Sequence, residues 1–207
     1  MHTAIARRGL VPRLFLLCLA PTACSDAESS ADTPCAPVGG PGAAPAIVEV
    51  LENDGRGALS VVAPDGPVNL RPPFQGGHVL FVGARVTGLC PTNLVVSGRI
   101  VDPASGEVVS VDNRTGVTLV EREDGTMAPD PQDLSAVANI ALCPETTGLR
   151  DIEGTTLTLE LRVSDAQGRR AETTRTVVPT CGGLVDVTDR ESCTCECKRG
   201  GGATACP

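Results

Sequence analysis

The side chains able to do chemistry are few and unevenly spread. Beyond the amino-terminal region lie eight cysteines: Cys35, Cys90, Cys143, Cys181, Cys193, Cys195, Cys197 and Cys206. Cysteines pair as disulfides, ligate metals or act as thiolate nucleophiles, and compartment and spacing decide which. The same region holds one histidine, His78, so a Ser-His-Asp or Cys-His centre would have to use it. A carboxylate such as Asp102 or Glu107 would then have to come alongside. The plainer reading makes His78 the start of a strand at a sheet rim, after the pliable Gln75-Gly76-Gly77. Five acids, Glu121, Glu123, Asp124, Asp130 and Asp133, fall in the loop-like run EREDGTMAPDPQD. Calcium needs several oxygen donors on a bendable loop, and this run has them but lacks the DxDxDG order. A solvated acidic loop is the better expectation. There is no HExxH, GxSxG, P-loop or GxGxxG motif, so neither a catalytic residue nor a cofactor is predicted.

Composition excludes further classes. The 207 residues carry 25 acids against 17 bases, a net charge of -8, with no Trp, no Tyr and three Phe. Such a chain lacks both the phosphate-neutralising charge and the stacking rings of a nucleic-acid binder. A sugar platform could draw only on Phe74 and Phe81. The length allows one medium domain or two small ones.

Residues 1–23 read MHTAIARRGLVPRLFLLCLAPTA. Arg7, Arg8 and Arg13 precede a short apolar run over 14–20, small residues follow, and then comes Cys24. The run is too short to span a bilayer as a helix. The layout resembles a bacterial lipoprotein signal, cut before a cysteine that becomes acylated. Thr22 and Ala23 fit that pattern, and Pro21 stands where it usually has an aliphatic residue. The resemblance implies a signal peptide over 1–23, palmitate-type lipidation at Cys24, and a chain anchored to the lipid bilayer of the cell envelope. An Asp after the cysteine commonly retains such proteins at the inner membrane; here Ser25 precedes Asp26, which favours the outer membrane. Cysteine parity agrees, because removing Cys18 with the leader and lipidating Cys24 leaves an even set of eight for an oxidising compartment.

The elements that must position these groups read as strands. Residues 24–45 are rich in Pro, Gly and Ser and make a disordered tether that Cys35 pins to the body. Over 46–180 the apolar period is two. In TTLTLELRVS, Leu157, Leu159, Leu161 and Val163 share a face. In HVLFVGARVTGL, Leu80, Val82, Ala84 and Val86 do the same. Residues 94–101 and 107–111 form a hairpin around Asp102-Pro-Ala-Ser-Gly106. Residues 117–122 and 170–178 are further strands, and 134–142 fits a strand or a short helix. The fold class is therefore all-β, an antiparallel immunoglobulin-like β-sandwich. Residues 156–178, with Asp165 and Gly168 at a tight turn, resemble the last hairpin of bacterial immunoglobulin-like and PKD-type domains.

Cys90 and Cys143 each end a strand and precede Pro, which suggests that they pair; a Cys35–Cys181 bridge would staple the ends of the body. The cysteine-rich tail, 181–207, resembles the closing half of an EGF-like module through Cys195-Glu-Cys197-Lys-Arg-Gly200 and Cys206. C-x-C neighbours cannot bridge each other without strain, so Cys195 must reach Cys206 or the body. The tail thiolates could instead hold a metal, but zinc knuckles use C-x2-4-C spacing. The resulting expectation is a lipid-anchored, non-catalytic module that presents a sandwich to a protein partner. The alternatives are an envelope hydrolase using His78 and a calcium-dependent adhesive module.

Overall fold

The computed structural model describes residues 35–38, 40, 42–144, 150–198 and 206. The expected signal peptide, Cys24 and the tether up to residue 34 lie outside them.

The alternating sequences form strands that stack as two sheets, the expected all-β, immunoglobulin-like sandwich. In chain order the strands are β1 (Ala46–Asn53), β2 (Leu59–Val61), β3 (Gly66–Asn69), β4 (His78–Thr87), β5 (Leu94–Val101), β6 (Val108–Val117), β7 (Val120–Glu121), β8 (Met127–Ala128), β9 (Ala138–Cys143), β10 (Leu157–Ser164) and β11 (Arg170–Thr180). One helix, α1 (Val187–Cys197), follows. The first sheet runs β2-β1-β4-β8-β7, and β9 also pairs with β4. The second runs β3-β11-β10-β5-β6. Pairing is antiparallel throughout except β3 with β11, which is parallel.

Burial follows the period. Leu157, Leu159, Leu161 and Val163 of β10 face the core with Leu94, Val96 and Ile100 of β5. From the first sheet Leu80, Val82, Ala84 and Val86 meet them. The opposite face of β4 is buried too: Val79 and Phe81 pack under Val137, with Leu134 at the margin. The ambiguous 134–142 stretch divides, with one 3-10 turn over Leu134–Ala136 and then β9. Asp133 caps the turn by accepting from the Ser135 amide. The strand expected over 117–122 reduces to the two residues of β7.

Without aromatic rings to fill the core, the sheets approach closely where side chains vanish. A Cβ on Gly98 would lie 2.8 Å from Ile140 Cδ1 and 3.0 Å from Ala138 Cβ. At the β10–β11 turn, Asp165 is a buried hub. Its carboxylate accepts from the amides of Cys90 (3.1 Å), Gln167 (3.0 Å) and Arg169 (3.0 Å) and from Arg169 Nε (2.8 Å). A buried carboxylate is tolerated only with such a full set of donors.

The bridges are Cys35–Cys90, Cys143–Cys197, Cys181–Cys193 and Cys195–Cys206. Neither of the two expected body bridges forms. Cys143 lies opposite His78 at the start of β4, whereas Cys90 lies beyond its end. Ten residues of strand separate those ends by about 30 Å. Likewise Cys35 sits beside Gln167 at the start of β11 and Cys181 follows its end, roughly 35 Å away. Cys35 does pin the incoming segment: Val38 exchanges backbone hydrogen bonds with Gly88 and Leu89, so the body begins near Cys35 rather than at residue 46.

The tail departs from the EGF-like expectation because residues 187–197 are helical. Asp186 caps that helix by accepting from the Thr188 and Asp189 amides. Helical spacing then settles the cysteine problem. Cys193 and Cys197, one turn apart, share the buried face and reach the body, while Cys195 is turned toward Cys206.

Candidate functional site

The two rings of the body converge on one cleft. Its floor is Phe81 of β4 and its rim is the loop Arg71-Pro-Pro-Phe-Gln75, in which Phe74 is fully exposed. The cleft has a volume of 490 Å³. The β1–β2 turn supplies Asp54 and Arg56, β6 supplies Arg114, and β9 supplies Asn139. Pro72 and Pro73 cannot donate, and the chain then turns, the Gly76 amide donating to the Pro73 carbonyl at 3.2 Å with Phe74 in the turn.

The polar lining mixes Arg56, Arg71 and Arg114 with Asp54 and, from α1, Asp189. Arg71 donates through Nη1 to the Gly183 carbonyl at 2.8 Å and lies 3.8 Å from the Glu52 carboxylate through Nη2. Its Nε is buried without a partner, as is Oδ1 of Asn139. Arg114 is neutralised by Asp112 at 2.7 Å. The Asp54 carboxylate is occupied by the amides of Arg56 and Ala58. These amides lower its pKa, outweighing its partial desolvation. Such a cleft can take an apolar group against Phe81, with polar side chains of both charges around it.

Glu52, behind Arg71, is 4% exposed. Burial raises its pKa, against the opposing pull of Asn69, whose Nδ2 donates to it at 2.9 Å, and of Arg71.

His78, the first residue of β4, is buried, and its Nδ1 lies 2.9 Å from Glu196 Oε2 of α1. Asp102 and Glu107, the carboxylates considered for it, both bind Arg150 instead. Gly77, with φ +76°, permits this placement, since a Cβ there would come within 2.4 Å of the Cys143 carbonyl oxygen.

The five acids of the 121–133 run do not gather. Asp124 accepts from Thr126, Asp130 from the Gln132 amide and Asp133 from Ser135, each closing its own local turn. Glu121 and Glu123 point to solvent. Among the described residues no three carboxylates present oxygens near enough to share a cation.

Sequence reasoning singled out Phe74, Phe81 and His78 but not Arg71, Asn139 or Glu196. The exposed Pro-Pro-Phe loop was the available signal for Arg71. Glu196 lies 118 residues from His78, a separation that only the fold closes. No family model matches this chain, and no curated protein or solved structure matches it.

Proposed function

We propose that the chain is a lipid-anchored envelope module, held at Cys24, that binds a protein partner without catalysis. The observation that carries the reading is the cleft itself: Phe74, fully exposed on its rim, and Phe81 on its floor, with Arg56, Arg71 and Arg114 in its lining. Aromatic and arginine side chains are the usual anchors of protein contacts. The matching partner segment is extended, with one apolar side chain for the floor and a carboxylate for the arginines. The placement of Cys35 favours presentation. It is joined to Cys90 beyond the end of β4, whereas the cleft surrounds the strand's first half. No described helix is long and apolar enough to cross a membrane, so the acyl group would be the anchor for the described part of the chain.

The test is site-specific photo-crosslinking in the producing cell. The crosslinker replaces Phe74 or, as a control, the exposed Val111 on the second sheet. A single adduct of defined mass at 74 and none at 111 is expected; no adduct at 74, or equal adducts at both, overturns the binding reading. Mass spectrometry of the mature chain tests the anchor. Diacylglyceryl on Cys24 with no titratable thiol is expected, and an unmodified amino terminus overturns it.

A further inference from the structure

The cleft leaves a second cluster unexplained. Where α1 meets the start of β4 and the end of β9, two disulfides lie side by side. Cys193 Sγ and Cys197 Sγ are 4.0 Å apart. Together with a ring nitrogen of His78 they lie within 4.8 Å of one another, all three residues buried. Cys143, bonded to Cys197, is also the cross-strand partner of His78. One ligand pair thus comes from adjacent strands and the other from a single helical face.

The geometry points to a zinc site that opens on reduction, with His78, Cys193 and Cys197, already gathered, and Cys143, once released from Cys197, as the ligands. A tetrahedral zinc with Zn–S bonds of about 2.3 Å places its sulfurs about 3.8 Å apart, close to the separation already built into α1. Three cysteines and one histidine are a common structural zinc set. Glu196 orients the fourth donor. A carboxylate only accepts, so Nδ1 of His78 carries the proton and the Nε2 lone pair is left for the metal. Histidine ligands are habitually held by a carboxylate in this way.

In the oxidised chain the sulfurs are committed to S–S bonds and no site exists. A dithiol reductant gives each bridge two electrons and two protons and closes to its own disulfide. Two such reactions free Cys143, Cys181, Cys193 and Cys197 as thiols. Zinc then binds three of them as thiolates, releasing three protons, and Cys181 stays a thiol. The reason for such a site lies in α1. Its only buried side chains are Cys193 and Cys197, so it has no apolar stripe to hold it on the sandwich once the bridges open. Zinc would replace two covalent staples with one coordinate staple in the same place.

The experiment uses the whole chain, reduced with a phosphine, desalted under argon and titrated with Zn²⁺ against a chromophoric chelator. Co²⁺ serves as a spectroscopic substitute, and circular dichroism follows the fold. One Zn²⁺ per reduced chain, none per oxidised chain and tetrahedral thiolate bands with Co²⁺ are expected. Cys181→Ser and the pair Cys195→Ser with Cys206→Ser keep full stoichiometry. His78→Asn and Cys143→Ser lose at least about tenfold in affinity, and Glu196→Gln about 10–100-fold with the Co²⁺ bands retained. Substoichiometric binding, octahedral Co²⁺ spectra, wild-type affinity in His78→Asn, or a reduced chain that zinc leaves unfolded each overturns the proposal.

Discussion

Glu52 is a buried carboxylate whose charged form the fold disfavours. Burial raises its pKa above the ordinary 4.5, and Asn69 and Arg71 only partly compensate. The native state therefore keeps the proton to a higher pH than the unfolded chain. Below 4.5 both states are protonated and there is no penalty; as pH rises through the native pKa the penalty grows to its full size. Glu52→Gln preserves the acceptor for Asn69 and removes that dependence. The melting temperature of the variant relative to wild type should rise between about pH 5 and about pH 7, and a difference that stays flat or falls would show that Glu52 is well paired. Asp124 behaves oppositely. The Thr126 side chain and amide lower its pKa, so its contribution is present above 3.8 and is lost as pH falls through the native value.

At the scale of elements, close approach of the sheets replaces bulk. Gly98 sits on β5 where Ala138 and Ile140 of β9 leave no room for a Cβ. Gly98→Val should cost about 1–3 kcal/mol by overpacking, read as a lower urea midpoint at unchanged slope. Ile140→Val in the same chain should return part of that loss, because it deletes the Cδ1 that the new side chain meets. Strands were the legible elements, since alternation such as that of Leu157, Leu159, Leu161 and Val163 is a local property that burial then enforces. Helix α1 was hidden because its buried face consists of two cysteines and no aliphatic side chain. The Asp186 cap, with Asp189 in the first turn, was its one readable mark. The cleft was half legible: Phe74 and Phe81 stood out as the body's rings, but nothing local could show that Arg114 and Asn139 would join them.

Across the whole molecule, connectivity depends on which strand ends meet, and that is why pairing by sequence position failed for Cys90 and Cys143. The bridges also differ in what they constrain. Cys35–Cys90 spans 55 residues and Cys195–Cys206 spans 11. Loop entropy assigns the first about 4 kcal/mol and the second about 3 kcal/mol. Replacing both members of each pair by Ser should lower stability in that order in denaturant titrations, and the reverse order would show that native strain outweighs chain entropy. The long bridge has a mechanical consequence as well. Strands β1 to β4 lie inside the covalent ring that it closes. Traction arriving along the chain from the amino side passes through sulfur directly to the turn between β4 and β5. A pull on the amino side of the body therefore cannot peel its first strands away one at a time.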